Sequence, residues 1–135
     1  MSRRLAREVA LRTLFQLDSG HVQLDQALDY ALETVPLAPG FVPFARRLVD
    51  NALAQQETSD QIIREKAVDW NIDRLARVDR AILRLALGEL MADKDTPAGV
   101  VINEAVELAN RYSTEESGKF INGILGAVVR SGQNE

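Results

Sequence analysis

The sequence predicts an all-α fold of about seven helices in two small bundles, and three observations carry that reading. Apolar residues recur at three- and four-residue spacing almost throughout the 135 residues. No run of strict apolar and polar alternation is long enough to require a strand. Proline, glycine and capping signals then divide the periodic stretches at helix-like lengths.

The first helix is expected from Ser2, as N-cap, to about Ser19-Gly20, where the glycine supplies a terminator. A second covers Leu24 to Thr34. Pro36, Pro39 and Gly40 mark a loop, and Pro43 suits the first turn of a third helix running to about Gln56. Thr58-Ser59-Asp60-Gln61 has capping-box spacing, which starts a fourth helix from about Ser59 to Val68, with Trp70 following. From Val78 to Met91 apolar residues stand nearly all round the helical wheel, so this helix is expected to be buried and wrapped by its neighbours. After the break at Asp95-Thr96-Pro97-Ala98-Gly99, a sixth helix carries Val101, Ala105, Leu108 and Ala109 on its apolar face, with Asn103, Glu104, Glu107 and Asn110 opposite. Ser113-Thr114-Glu115-Glu116 reads as a second capping box and opens a last helix to about Arg130. The loop from Pro36 to Gly40 separates two halves, each too small to stand alone comfortably, so residues 1–135 are read as one domain with flexible ends at 1–2 and 131–135.

Composition removes several function classes. The absence of cysteine excludes a disulfide scaffold, a CxxC redox pair and a cysteine-based zinc site, and the single histidine, His21, argues against zinc held by histidine and carboxylate. No metal and no cofactor is expected. No apolar stretch approaches 18 residues and the start, Met-Ser-Arg-Arg, is not that of a signal peptide, so the expected compartment is the cytoplasm. The formal net charge of −4 hides a basic end, because Arg3, Arg4, Arg7 and Arg12 face only Glu8 in the first twelve residues. A polyanion would feel that patch at short range, since salt screens the acidic remainder beyond about 8–10 Å. A solvated helix start explains the same residues without a ligand.

Enzyme motifs are missing. Ser117-Gly118-Lys119 is followed by Phe120 where a phosphate-binding loop needs Ser or Thr, and neither GxGxxG nor GxSxG occurs. Two helices nevertheless carry more than core and surface. On the first, Leu5, Ala6, Val9, Ala10, Thr13 and Leu14 define an inward face, yet Leu11 and Phe15 project roughly opposite it, in a row with Arg7. Either two halves of the domain sandwich this helix, or Leu11 and Phe15 meet a partner, such as a second copy of the chain. On the last helix, Lys119, Gly123, Gly126 and Arg130 share a bare, basic face edged by Phe120. Gly118, Gly123 and Gly126 each cost about 1 kcal/mol relative to alanine inside a helix. Close packing of another helix, or close approach of a ligand, offsets such a cost. An exposed Phe120 would stack an unpaired base, with Lys119 and Asn122 serving phosphate and base edges, which favours single-stranded nucleic acid over duplex.

Four segments, Arg3-Arg4-Leu5-Ala6-Arg7-Glu8 with Leu14-Phe15-Gln16, Val78-Asp79-Arg80-Ala81-Ile82-Leu83-Arg84, Val101-Ile102-Asn103-Glu104-Ala105-Val106-Glu107-Leu108-Ala109 and Ser117-Gly118-Lys119-Phe120-Ile121-Asn122-Gly123, resemble the NusB family of transcription antitermination factors in order and spacing. The resemblance spans nearly the whole chain and implies a NusB-like domain, two helical bundles packed along the first helix. It implies a non-enzymatic protein that binds boxA RNA together with NusE, a small-subunit ribosomal protein, and acts with RNA polymerase and other antitermination factors in transcribing ribosomal RNA operons. By matching motif position, Arg3, Arg4 and Arg7 are the implied arginine-rich RNA contacts, and Glu116, Ser117, Lys119, Phe120 and Asn122 the second RNA-contacting segment. Phe15, Asp73 and Asp79 fall on the implied NusE-facing surface, where acidic residues suit a basic partner. Leu5 stands where some members carry a further basic residue, and Gly88 where an aromatic is frequent. A related domain occurs fused to RNA cytosine methyltransferases, but a chain without strands or a glycine-rich loop has no room for a cofactor-binding α/β domain. The remaining alternative is a helical adaptor or homodimer with no RNA role.

Overall fold

The computed structural model describes residues 2–67 and 71–133, and among these the regular elements are seven α-helices and two short 3₁₀ turns. The first helix, α1 (Ser2–Asp18), includes Ser2 as a helical residue, one position earlier than expected for an N-cap. Gly20 ends it with φ of +78°, the left-handed conformation glycine adopts without strain, and its N–H donates to the Leu17 carbonyl at 3.0 Å. After α2 (Leu24–Thr34), the proline-rich loop closes in a 3₁₀ turn at Pro39–Phe41, and Pro43 lies in the first turn of α3 (Val42–Ala54).

The fourth helix corrects the expected boundary. α4 (Gln56–Lys66) follows α3 with only Gln55 between them, so Thr58 to Gln61 lie inside the helix and do not cap it. The Ser59 N–H is already taken by the Gln55 carbonyl at 2.8 Å, and Ser59 is fully buried. Asp60 accepts two hydrogen bonds from Arg84, at 2.8 and 2.9 Å, which ties α4 to α5 (Arg77–Ala92). The expected helix residue Val68, together with Trp70, lies outside the described residues, and a 3₁₀ turn at Ile72–Arg74 leads into α5. The last two helices are α6 (Ala98–Tyr112) and α7 (Glu115–Gln133), so α7 runs three residues past the expected end. Its cap is also displaced by one: the Ser117 N–H donates to Thr114 Oγ1 at 3.0 Å, which makes Thr114 the capping residue in place of Ser113.

Two apolar clusters organise these helices. The larger gathers around α5, whose Ile82, Leu83, Leu85 and Leu87 are each at most 2% exposed, and draws in Ile63 of α4, Ala109 of α6, and Ile121 and Leu125 of α7. The smaller joins Ala6 and Val9 of α1 to Leu28 and Ala31 of α2 and Ala45 of α3. α1 belongs to both, because Ala10, Leu11 and Leu14 on its other side enter the larger cluster. That settles the oddity of the first helix. Leu11, 2% exposed, is core, and the expectation that it faces a partner or a second copy is corrected.

Charged groups fix the end of α1 against α5. Asp18 sits at the helix C-terminus, where the dipole disfavours a carboxylate, and is met by Arg77 at 3.1 Å, Arg80 at 3.0 Å and Arg84 at 3.4 Å. Partial burial works against the charged carboxylate, but the hydrogen bonds from Arg80 and Arg77 outweigh it and hold its pKa below the ordinary aspartate value. A carboxyl with a depressed folded-state pKa contributes stability above its unfolded pKa of about 3.9, and that contribution disappears as pH falls through the folded value. The Asp18→Asn variant is therefore expected to be less stable than wild type at pH 7 and to converge on it near pH 2. Urea midpoints that stayed equally far apart at both pH values would show that the carboxylate charge is not what matters.

Candidate nucleic-acid interface

The basic start of α1 splits into three different environments. Arg3 is exposed, with its guanidinium 5.3 Å from the centre of the Phe44 ring. Arg4 is exposed too, but forms a two-point pair with Glu104 of α6, both bonds 3.0 Å, and the Glu104 hydrogen bond and charge raise its pKa. Arg7 is 5% exposed and donates to both oxygens of Glu89 at 3.0 and 2.6 Å, so its expected place in an RNA-facing patch is corrected to an internal ion pair. Arg3 and Arg7 share one face of α1 and both approach the Phe44 ring, at 5.3 and 5.6 Å from its centre, but Arg7 stands one turn further along, where Glu89 of α5 meets it.

Phe44 and Arg47 were missed by sequence reasoning. Both lie on α3, and the Arg47 guanidinium stands 5.7 Å from the same ring, so exposed Arg3 and Arg47 flank it from two helices. The three-residue spacing of Phe44 and Arg47 was the available signal. Arg3, Arg4, Val100 and Glu104 line a groove of about 580 Å³ whose far wall is the loop before α6. Asp93 shapes that loop by accepting from Thr96 Oγ1 at 2.6 Å and Asp95 N at 2.9 Å. The Thr96 hydrogen bond, followed by that of Asp95, lowers the Asp93 pKa.

The second expected segment opens α7. Glu116, Lys119 and Asn122 are exposed, and Lys119 Nζ lies 3.8 Å from Glu116. Ser117 points inward, donating from Oγ to Asp79 Oδ2 at 2.7 Å, with Ser113 and Thr114 hydroxyls 2.9 and 3.0 Å away. Phe120 is only partly exposed and packs against the larger core cluster, so it is a bordering ring with one accessible part and not a fully exposed platform. Beside these residues runs a groove of about 670 Å³ between α6 and α7, which Asn103, Asn110, Lys119 and Asn122 line. The two grooves adjoin at the start of α6: Val100 and Glu104 face one, Gly99 and Asn103 the other.

The residues expected to face a protein partner are divided as well. Phe15 is 36% exposed, with the Arg77 guanidinium 4.9 Å from its ring centre, and it walls a cleft of about 650 Å³ together with Tyr30, Tyr112 and Arg12. Leu11 is the buried floor of this cleft. Tyr112 donates its hydroxyl to the buried Glu8 carboxylate and accepts from Arg12 Nε at 3.2 Å, and burial with the Glu8 bond raises its pKa. Asp73 is exposed on the turn before α5. Asp79 is 7% exposed and held by Ser117, which corrects its expected role as a surface contact: it stands in the first turn of α5, under the start of α7. Among the described residues no group of three or more His, Cys, Asp or Glu is placed to hold a metal ion, and no helix is long and apolar enough to cross a membrane.

Comparison with known proteins adds a third kind of observation. The NusB family profile matches residues 4–130. A transcription antitermination protein NusB from Heliobacterium modesticaldum is 48% identical over 130 residues, which is 96% of this chain but 63% of that protein, so this chain spans less than two thirds of that relative. The NusB of Desulfitobacterium hafniense is 47% identical over 133 residues, covering 97% of this chain and 90% of that one. Among solved structures, a chain in the crystal structure of antitermination factors NusB and NusE in complex with double-stranded RNA superposes with a TM-score of 0.86 at 31% identity, over 96% of this chain and 97% of that chain.

Proposed function

The chain belongs to the NusB family, and from that premise we propose that it is a transcription antitermination factor that binds the boxA sequence of nascent RNA jointly with NusE and so supports transcription of ribosomal RNA by RNA polymerase in the cytoplasm. The observation that carries this reading is the adjacency of the two motif segments. Arg3 and Arg4 on one side, and Lys119 and Asn122 on the other, border grooves that meet at the first turns of α6, and the partly exposed Phe120 ring follows Lys119 on α7. A single strand crossing that junction would meet arginines suited to phosphate and then amide and aromatic groups suited to bases. Arg4 would exchange Glu104 for a phosphate, so RNA affinity without NusE is expected to be modest. NusE is assigned to the cleft walled by the exposed Phe15 ring and to exposed Asp73 on the turn before α5, a carboxylate that suits a basic partner. The relative solved with NusE holds duplex RNA, so strandedness belongs in the test.

The test is fluorescence anisotropy at fixed salt with single-stranded boxA RNA, a scrambled strand, and boxA annealed to its complement, each with and without NusE. Tight binding of the boxA strand over the scramble, strengthened by NusE, is the expected result. Preference for the duplex would overturn the stacking mechanism, and equal weak binding throughout would return the helical-adaptor reading to first place. Replacing Phe120 with Ala is expected to weaken boxA binding by about 1–3 kcal/mol. Replacing Arg3 with Ala should lower the slope of log K against log salt by about one for every RNA. A Phe15→Ala variant should bind RNA alone as wild type does and lose the enhancement by NusE.

A further inference from the structure

We propose that the α6–α7 groove is a reading site for one unpaired nucleobase carrying an exocyclic amino group, adenine foremost, and that Asn103 and Asn110 of α6 act there with Asn122 of α7; this rests on the RNA-binding reading above. The groove, of about 670 Å³, has partly buried Ile102 and Val106 as an apolar floor for the flat face of a base. All three asparagines are exposed, and among the described residues their carboxamides have no hydrogen-bond partner. Each offers an acceptor beside donors, which matches an amino group next to a ring nitrogen.

Charge separates this groove from a phosphate site. Glu115 and Lys119 both line it, and Lys119 already faces Glu116 at 3.8 Å. A neutral base edge that donates hydrogen bonds fits there, whereas a phosphate would meet the Glu115 carboxylate. Gly118 adds a positional argument. A Cβ at this position would lie 2.5 Å from Asn110 Oδ1, so the bare Cα is what lets the Asn110 carboxamide lie against α7. Alanine would be the better helix former at that position, and it would push the carboxamide away.

The experiment measures binding of single-stranded boxA RNA in which each adenine in turn is replaced by purine, which lacks the amino group. Wild type is expected to lose roughly tenfold in affinity for one such replacement. That discrimination should vanish in Asn110→Ala and shrink in Gly118→Ala, although the latter should melt no lower than wild type. Equal affinity of wild type for every replacement, or undiminished discrimination in both variants, would overturn the groove assignment while leaving RNA binding intact. Failure of wild type to bind any RNA would overturn both.

Discussion

Glu89→Ala is expected to lose about 3–5 kcal/mol of folding free energy at pH 7, with a fall of roughly 10–15 °C in Tm. Glu89 is 1% exposed on α5, the helix that every layer of the larger core packs against, and its two oxygens accept the two bonds from Arg7. Removing the carboxylate leaves a guanidinium 5% exposed with no anion at its side. Burial opposes the charged form of Arg7, and it is the hydrogen bonds and charge of Glu89 that carry its pKa above the ordinary arginine value. A void of only about 10 Å³ adjoins the pair, bounded by Leu85, Val101 and Ala105, at the lower limit for a single water, so solvent cannot replace the lost partner without local opening. Replacing both residues with methionine removes the charge and its counter-charge together, and this double variant is expected to recover most of the loss. Urea titrations of the single and double variants measure this directly, and a loss below about 1 kcal/mol in the single variant would contradict it. The same double variant distinguishes an internal Arg7 from an RNA-contacting one. Its salt slope for boxA RNA should equal that of wild type, because the guanidinium that it removes faces Glu89 and not solvent.

How much of this was legible in advance depends on whether the signal is local. The helices were legible because an amphipathic period is written along the chain, and α2 (Leu24–Thr34) and the wrapped α5 stand where that period puts them. The ends of α4 and α7 were less so. A Ser or Thr three residues before Glu or Gln fits a cap, but so does the interior of a helix, and at Ser59 the deciding fact was that α3 turns into α4 through Gln55 alone. The site residues were misread where the third dimension decides. Arg3, Arg4 and Arg7 look alike in sequence, yet one stacks on Phe44, one pairs with Glu104 and one is buried. A clue to Arg7 was present: Glu89 follows the apolar run Leu85 to Gly88 in the buried part of α5, and an acidic residue there requires a partner from elsewhere. Asp79 carried the same clue, and its partner, Ser117, came from the segment assigned to RNA.

Two glycine substitutions are expected to move stability in opposite directions. Gly88→Ala should destabilise by about 1–3 kcal/mol, since a Cβ there would stand 2.8 Å from Ala52 Cα and 2.9 Å from Ala52 N, where α5 crosses α3. Both atoms belong to backbone, so relief requires the two helices to separate, and that strain exceeds the gain of about 1 kcal/mol that alanine brings to a helix interior. The crossing also accounts for the absence of an aromatic at this position, because Gly88 meets Ala52, a small residue 1% exposed, and no space remains for a ring. Gly123 is the reverse case. Nothing lies within 4 Å of where its Cβ would be, so Gly123→Ala should stabilise by up to about 1 kcal/mol. Under the proposed RNA-binding reading, a strand passing close to α7 beside Lys119 and Asn122 would use the bare backbone at Gly123. Gly123→Ala should therefore raise the urea midpoint while weakening boxA binding. A variant that gained stability and bound boxA RNA as wild type does would remove α7 beyond Asn122 from the path of the strand.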